Sequence, residues 1–423
     1  MAAKTGNYSP SYQVVCEVRR CFKLSRIRLS GCCWWRAASV SCAPLIVAFV
    51  WLASNSAIAE DCYRSKQWAL SAFNVDVVWK VSTGVGVVVG VLDSGVDSGH
   101  PDLVGQALPG ISVIQGGGLA NVADNFGHGT RISGLIAAKG HGPDGSQGVK
   151  GLSPGAKILP VKLSDGDSTY GPGNPLARGI RYAVDHGAKV INISALLNVL
   201  GQPERDALQY AHDKDVIVVV GIGQTATEND IGLPAFPGVV SVGGVDQNGE
   251  LWRESNSSRY LTLLAPAVGI VSTAPHGAYS QADGTSDATA YVSAAAALVR
   301  ARFPHLTAGQ VVNRLIRSAG LPPSVQGAHL ALPDPRLGYG FVRPYSALTM
   351  DIDPGPAAGP LPQPAGTPTP APTASPGRPG TAFTAGATTL ALGGLLGAAY
   401  VVIRRRREVH RSSQSSRSSE EPS

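Results

Sequence analysis

Residues 84 to 97 read GVGVVVGVLDSGVD, a run of small and β-branched apolar residues that ends on a carboxylate, Asp93. Nothing from Val87 to Leu92 alternates between apolar and polar, so a strand here must be covered on both faces. That places it inside a parallel sheet with helices above and below. The chain downstream repeats the arrangement: GAKILPVKL (155 to 163), KVINIS (189 to 194), VIVVVG (216 to 221), GVVSVGGVD (238 to 246) and LTLLAPAVGIVST (261 to 273) are apolar runs of the same kind. NPLARGIRYAVDHG (174 to 187) and PERDALQYAHDKD (203 to 215), lying between them, have helical spacing. Lys66 to Trp79 reads as an arm and short helix leading in, Ala288 to Phe303 as an alanine-rich helix, and Thr307 to Ala319 as an amphipathic one. The expectation is one α/β domain over residues 60–350, a three-layer α/β/α with a mainly parallel central sheet.

The formal charge of +6 over 423 residues belongs to the ends. Residues 60–350 carry 21 Lys and Arg against 23 Asp and Glu, so the body lacks the basic field of a nucleic-acid binder. Residues 1–59 read as an export signal with a basic leader: arginines and Lys23 precede the run SVSCAPLIVAFVWLASNSAIA, which ends on a small-x-small pattern at Ala57 to Ala59. Five of the six cysteines lie in that leader and only Cys62 follows it, so the processed chain makes no internal disulfide. Residues 351–380 form a Pro-rich linker. Residues 381–403, TAFTAGATTLALGGLLGAAYVVI, are uncharged and rise about 35 Å as a helix, enough to span a bilayer. Four arginines open the tail at 404–423 and assign it to the cytoplasm. The chain is thus expected to be single-pass, with its body outside the cell.

Three segments carry candidate chemistry. Asp93 ends its strand, where open α/β sheets collect reactive groups; an aspartate there also caps turns. In DNFGHGTRISGLIAA, from Asp124, His128 sits between two glycines that leave room around the imidazole. In DGTSDATAYVSAAAALV, from Asp283, Ser286 falls in the first turn of a helix, either as a nucleophile near free N–H groups or as an N-cap.

Taken in order, VLDSGVD, GHGT and GTSDATAYVSAAAAL resemble the subtilisin-like serine peptidases, over residues 67 to 345. The QW-x-L arm, FPHLTAGQVVNRLIRSA and the anchored Pro-rich linker are similar to the actinobacterial mycosins, membrane-anchored proteases associated with type VII secretion. The resemblance implies a subtilisin-like fold and a serine endopeptidase acting on proteins or peptides. It implies Asp93 as histidine orienter, His128 as general base then acid, and Ser286 as nucleophile, its backbone N–H helping to bind the oxyanion. Ala195, Leu196, Leu197, Gly221 and Gly223 would line the substrate cleft. Type VII secretion components are the implied partners, and neither metal nor organic cofactor is required; DGDS (165 to 168) reads as a loop rather than a calcium site.

The chain departs from the family pattern at several points. Gln224 replaces the asparagine expected as oxyanion donor, and its extra methylene displaces the amide unless the loop compensates; losing one such donor costs about 2.7–4 kcal/mol of transition-state stabilisation. Asn229 is a second candidate donor. Asp287 follows the serine, where it would either cap the helix or favour protonated His128. Ala290 and Ala294 occupy positions normally held by proline and glycine. These substitutions keep a second reading open, a catalytically impaired scaffold serving as a binding or assembly module.

Overall fold

A computed structural model describes residues 12–13, 63–114, 118, 122–166, 173–194 and 198–364. Most of the expected leader, all six cysteines, the cleft residues Ala195, Leu196 and Leu197, and the expected span at 381–403 lie outside the described residues. Among the described residues, no helix is long and apolar enough to cross a membrane.

From residue 63 onward the strands are β1 (Val88–Asp93), β2 (Ile111–Ser112), β3 (Lys139–His141), β4 (Gln147–Lys150), β5 (Lys157–Lys162), β6 (Val190–Ile193), β7 (Ile217–Gly221), β8 (Val240–Val245), β9 (Leu261–Pro266), β10 (Ile270–Ala274) and β11 (Ala278–Ala282). The helices are α1 (Trp68–Ala72), α2 (Val75–Val81), α3 (His128–Ala137), α4 (Pro175–Asp185), α5 (Gln202–Asp213), α6 (Thr285–Arg302), α7 (Ala308–Arg317) and α8 (Pro344–Thr349). Seven strands form one sheet in the order β9-β8-β7-β6-β1-β5-β2, and every neighbouring pair is parallel. The chain starts at β1, runs to the β2 edge, returns through β5, then crosses to β6 and continues outward. The order therefore reverses at β1. In open α/β sheets such a reversal opens a crevice at the carboxyl ends of the strands, and Asp93 stands there.

Two cores cover the sheet, as unbroken apolar strands require. On one face Val89, Val91, Ile217 and Val219 pack with α3, α6, α7 and the arm helices α1 and α2. On the other, Leu92, Val161, Val218 and Val220 meet Leu176, Ile180 and Ala183 of α4 and Ala207, Leu208 and Ala211 of α5. Each fully buried Val, Leu or Ile contributes about 1.5–3 kcal/mol. Helix α6 runs through the first core, buried from Thr285 to Arg300 except at Ser286. Its alanines let strands and α3 approach it closely. Ala294 has no exposed surface, so a larger residue there would overpack the core by about 1–3 kcal/mol.

One expected strand divides. In LTLLAPAVGIVST only Leu261–Pro266 joins the parallel sheet; the chain turns at Gly269, whose φ is 66°, and Ile270–Ala274 pairs antiparallel with β11. The turn is built from Ala, Val and Gly, so hydropathy gives no sign of it. The arm is fastened by polar contacts: Gln67 exchanges two hydrogen bonds with Lys150, and Arg64 donates to the carbonyls of Gly145, Gln147 and Gly148 in the β3–β4 hairpin.

The first part of the expected linker, residues 351–364, has no helix or strand but is bound. Thr307 Oγ1 donates to Ala357 O, Gln310 Nε2 to Gly355 O, and Asn313 Nδ2 to Asp353 O and Pro354 O, all along α7. The Arg314 guanidinium reaches the carbonyls of Ala347, Met350 and Ile352. Chains ended after 350 and after 364 should therefore differ in stability. The shorter loses five of these hydrogen bonds, three of them exposed, and is expected to lose about 3 kcal/mol at roughly 0.6 kcal/mol per net hydrogen bond, seen as a melting temperature lower by roughly 6–12 °C.

Candidate active site

Asp93 leaves β1 with both carboxylate oxygens turned to one imidazole: His128 Nδ1 lies 2.8 Å from Oδ1 and 2.9 Å from Oδ2. Oδ1 also accepts the Ser94 N–H at 2.7 Å, so the turn-capping role and the histidine contact coexist. The carboxylate side chain is 6% exposed and the imidazole 24% exposed. Nδ1 carries the proton in this arrangement, since it faces only acceptors. Burial pulls the His128 pKa down, but Asp93 and a smaller push from Asp287 outweigh it, and the net direction is upward from 6.5.

His128 is the first residue of α3 rather than a loop residue ahead of it. Its flanking glycines have separate reasons. Gly127 adopts φ 98°, the left-handed conformation that glycine enters without strain. Gly129 gives clearance: a Cβ there would stand 2.1 Å from the Gly95 carbonyl oxygen and 3.2 Å from the Asp93 Cβ. The start of α3 thus abuts the end of β1, and this sets the Asp93–His128 contact.

Asp124 holds that start in place. Its Oδ1 accepts from the Ser94 hydroxyl and the N–H groups of Phe126 and Gly127, and its Oδ2 from the N–H and hydroxyl of Thr130, all at 2.6–3.1 Å. A buried carboxylate facing a helix N-terminus is favoured there by the helix dipole. Sequence reasoning gave Asp124 no role; an acidic residue just ahead of a glycine-flanked helix start was the available signal.

Ser286 is the second residue of α6, after an N-cap at Gly284, so the N-cap reading of this serine does not hold. Its hydroxyl donates to the Ser194 carbonyl at 3.3 Å, at the end of β6, and the Ser194 hydroxyl donates back to the Ser286 carbonyl at 3.4 Å. Gln224 follows β7 and turns its amide oxygen to the Thr285 N–H at 2.8 Å. Because that neighbour is a donor, the carbonyl end is fixed and Nε2 is the donor end of the amide. The Gln224 side chain is thus anchored at the start of the helix that carries Ser286. Asn229 does not substitute: its buried amide donates to the Ile222 carbonyl. Asn256, which sequence reasoning missed, supports the same loop by accepting from the Thr225 and Thr227 N–H groups and donating to Ile222 O. Gly221 and Gly223 are both buried; the space over Gly221 is filled by Thr285 and Thr289, so its bareness serves the packing of β7 on α6.

Asp287 neither caps its helix nor stands alone near His128. Arg131, three residues after His128 on α3, grips it with two hydrogen bonds, Nε to Oδ1 at 2.9 Å and Nη2 to Oδ2 at 2.7 Å. Burial pushes the Asp287 carboxyl up, and the guanidinium opposes that push. Asp165, from the stretch read as a loop, pairs with the buried Lys162 at 2.6 Å. Among the described residues, no group of three His, Cys, Asp or Glu side chains is placed to hold a metal ion.

A seven-stranded parallel sheet with a carboxylate–imidazole pair at its switch point and a serine on a buried central helix defines the subtilisin-like class. A profile of the subtilase family, peptidase S8, matches residues 84–341, and the chain belongs to that family. Fervidolysin of Fervidobacterium pennivorans is 32% identical over 326 residues, 70% of this chain but only 44% of that one. Subtilisin DY of Bacillus licheniformis is 34% identical, with 56% of this chain and 84% of its own length aligned. MycP1 from Mycobacterium smegmatis has a similar structure, with a TM-score of 0.57 at 27% identity over 69% of this chain and 87% of that one. The MycP3 protease from the type VII (ESX-3) secretion system gives 0.57 at 32% identity, over 67% and 88%. The chain is therefore similar to the mycosins within its family.

A raised His128 pKa has a consequence in both rate and stability. A base role for His128 requires the neutral imidazole, and in that role acylation of Ser286 is expected to fall away on an acid limb whose midpoint lies above pH 6.5. A folded pKa above the unfolded one stabilises the fold fully below the unfolded value, and that contribution is lost as pH rises through the folded value. The rate and stability profiles should thus move in opposite senses through neutrality, measurable by inhibitor acylation and thermal melting across pH.

Proposed function

We propose that the protein is a serine endopeptidase working through Asp93, His128 and Ser286, held at the outer face of a membrane by residues 381–403. The observation that carries this reading is the bidentate Asp93–His128 contact at the sheet's switch point, beside a helix whose one partly exposed residue within the core is Ser286. In the reaction the serine hydroxyl exchanges its bond to Ser194 O for one to His128 Nε2, because it has a single proton to donate. Nε2 takes that proton as Oγ attacks a peptide carbonyl, and Asp93 stabilises the imidazolium. The oxyanion is met by Gln224 Nε2 and the Ser286 N–H. The imidazolium then protonates the departing amine, and water, deprotonated by the same histidine, hydrolyses the acyl-enzyme. Similarity to MycP1 and MycP3 supports a place beside a type VII secretion apparatus, with a protein or peptide as substrate.

The test is labelling of the detergent-solubilised full-length chain with a fluorophosphonate. Wild type should label and Ser286→Ala should not. Gln224→Ala is expected to acylate about 10²–10³-fold more slowly. Gln224→Asn should also be slower than wild type, because the shorter side chain loses its anchor on the Thr285 N–H. Folded wild-type protein that never labels would leave the impaired-scaffold reading in place of the protease.

A further inference from the structure

Arg131 and Asp287 are not needed by the mechanism above, yet both are almost wholly buried, 6% and 2% exposed, and each lies beside one of its residues. Arg131 is one helical turn after His128; Asp287 is the residue after Ser286. The guanidinium is fully used. Nε and Nη2 take the two oxygens of Asp287, Nη1 donates to the carbonyl and hydroxyl of Ser280 at 3.1 Å each, and Nη2 also donates to Ile270 O at 2.7 Å. With these contacts all five N–H groups of the fork are satisfied. One side chain thereby joins α3, α6, β10 and β11. Lysine has no such fork.

Each charge also acts on His128. The charged groups that act on this imidazole are Asp93 from β1, Asp287 from α6 and Arg131 from its own helix. Asp124, in the loop before α3, is taken up by the backbone and hydroxyl donors named above. Asp287 favours the imidazolium and Arg131 disfavours it. The two pushes oppose one another, and Asp93 is the dominant charged partner of the ring.

We propose that Arg131 and Asp287 are a positioning pair for the acyl-transfer reaction: a charge-balanced clasp that holds the first turn of α6 against the first turn of α3, setting Ser286 opposite His128 while cancelling the field of a carboxylate next to the nucleophile. The proposal rests on the protease reading given above. The pair also explains how an acidic residue is tolerated directly after the serine. Asp287 is neutralised from the histidine's helix, not by solvent.

The experiment compares Arg131→Met, Asp287→Asn, Arg131→Lys and the double variant Arg131→Met/Asp287→Asn in the detergent-solubilised full-length chain. Two quantities are read for each: the pH profile of fluorophosphonate acylation, and the titration of His128 by NMR of ¹³C-labelled histidine. Arg131→Met should move the His128 midpoint up and Asp287→Asn should move it down, opposite responses that loss of packing alone does not produce. Arg131→Lys keeps the charge and loses the fork; its His128 midpoint should stay while acylation slows about 10- to 100-fold. The double variant leaves no unpaired charge, and is expected to titrate as wild type but acylate as slowly as the lysine variant. Midpoints that move in the same direction, or not at all, would overturn the charge-balancing role. Wild-type acylation rates in Arg131→Lys or in the double variant would overturn the positioning role. If a single variant does not fold, those last two decide the matter. Wild type that folds but never labels would sink the protease reading alone, because the histidine titration continues to report on the pair.

Discussion

Gly129→Ala is expected to slow acylation by on the order of 10²-fold while leaving Asp93, His128 and Ser286 unaltered in sequence. The added methyl would lie 2.1 Å from the Gly95 carbonyl oxygen, a backbone atom with no rotamer to change, and 3.2 Å from the Asp93 Cβ. Relief requires α3 to move away from the end of β1, carrying His128 off the carboxylate it meets at 2.8 and 2.9 Å. A displacement of about 1 Å at a reacting centre costs on the order of 10²-fold in rate. The overpacking costs about 3 kcal/mol as well, so melting should fall by roughly 6–12 °C. Fluorophosphonate acylation and a thermal melt on the same sample check both. Acylation at the wild-type rate would mean that the α3–β1 approach does not set the pair.

Asp124→Ala should be nearly as damaging, by another route. It strips acceptors from two hydroxyls and three N–H groups at the start of α3, in a place 5% exposed in the native chain. Each unsatisfied buried donor costs about 1–3 kcal/mol, less where water enters, so a total of about 3–5 kcal/mol is expected. Asp124→Asn retains one carbonyl acceptor and should fall between the two. Urea unfolding orders the three, and acylation should follow the same order, because the helix start it secures carries His128. A stable, fully active Asp124→Ala would show that Ser94 and the backbone hold the loop unaided.

The parts of the fold that were legible in the sequence are those whose burial is uniform. β1, β5, β6, β7 and β8 are mostly apolar and buried along nearly their whole length, and that continuity reports a sheet covered on both faces. The β3–β4 hairpin escaped notice because Lys139–His141 and Gln147–Lys150 are polar and glycine-rich; its order comes from Arg64 and Gln67, more than 80 residues earlier in the chain. The same division runs through the site. Asp93, His128 and Ser286 each sit in a short motif, so local sequence marks them. Arg131 and Asp287 are 156 residues apart, and neither gives a local sign of the other. Asp287 therefore read as a cap or as a perturbation of His128 until its partner was seen. The anchor of Gln224 was illegible for a related reason: the Thr285 N–H that holds its amide oxygen lies 61 residues away.

Helix α6 is the innermost element of its core, bordered by strands and by α3, with Ser286 its one opening to solvent before Ala301. Amides in such a helix exchange with solvent only through the largest opening events that a domain undergoes. The scaffold of the proposed nucleophile is therefore expected to share the slowest protection class of the molecule, whereas Gln224 is followed by four exposed residues, 225 to 228, and its loop should open more readily. Heat or denaturant should first soften the oxyanion side, lowering turnover while the serine's backbone remains protected. Competence at Ser286 itself ends only when the domain as a whole lets go.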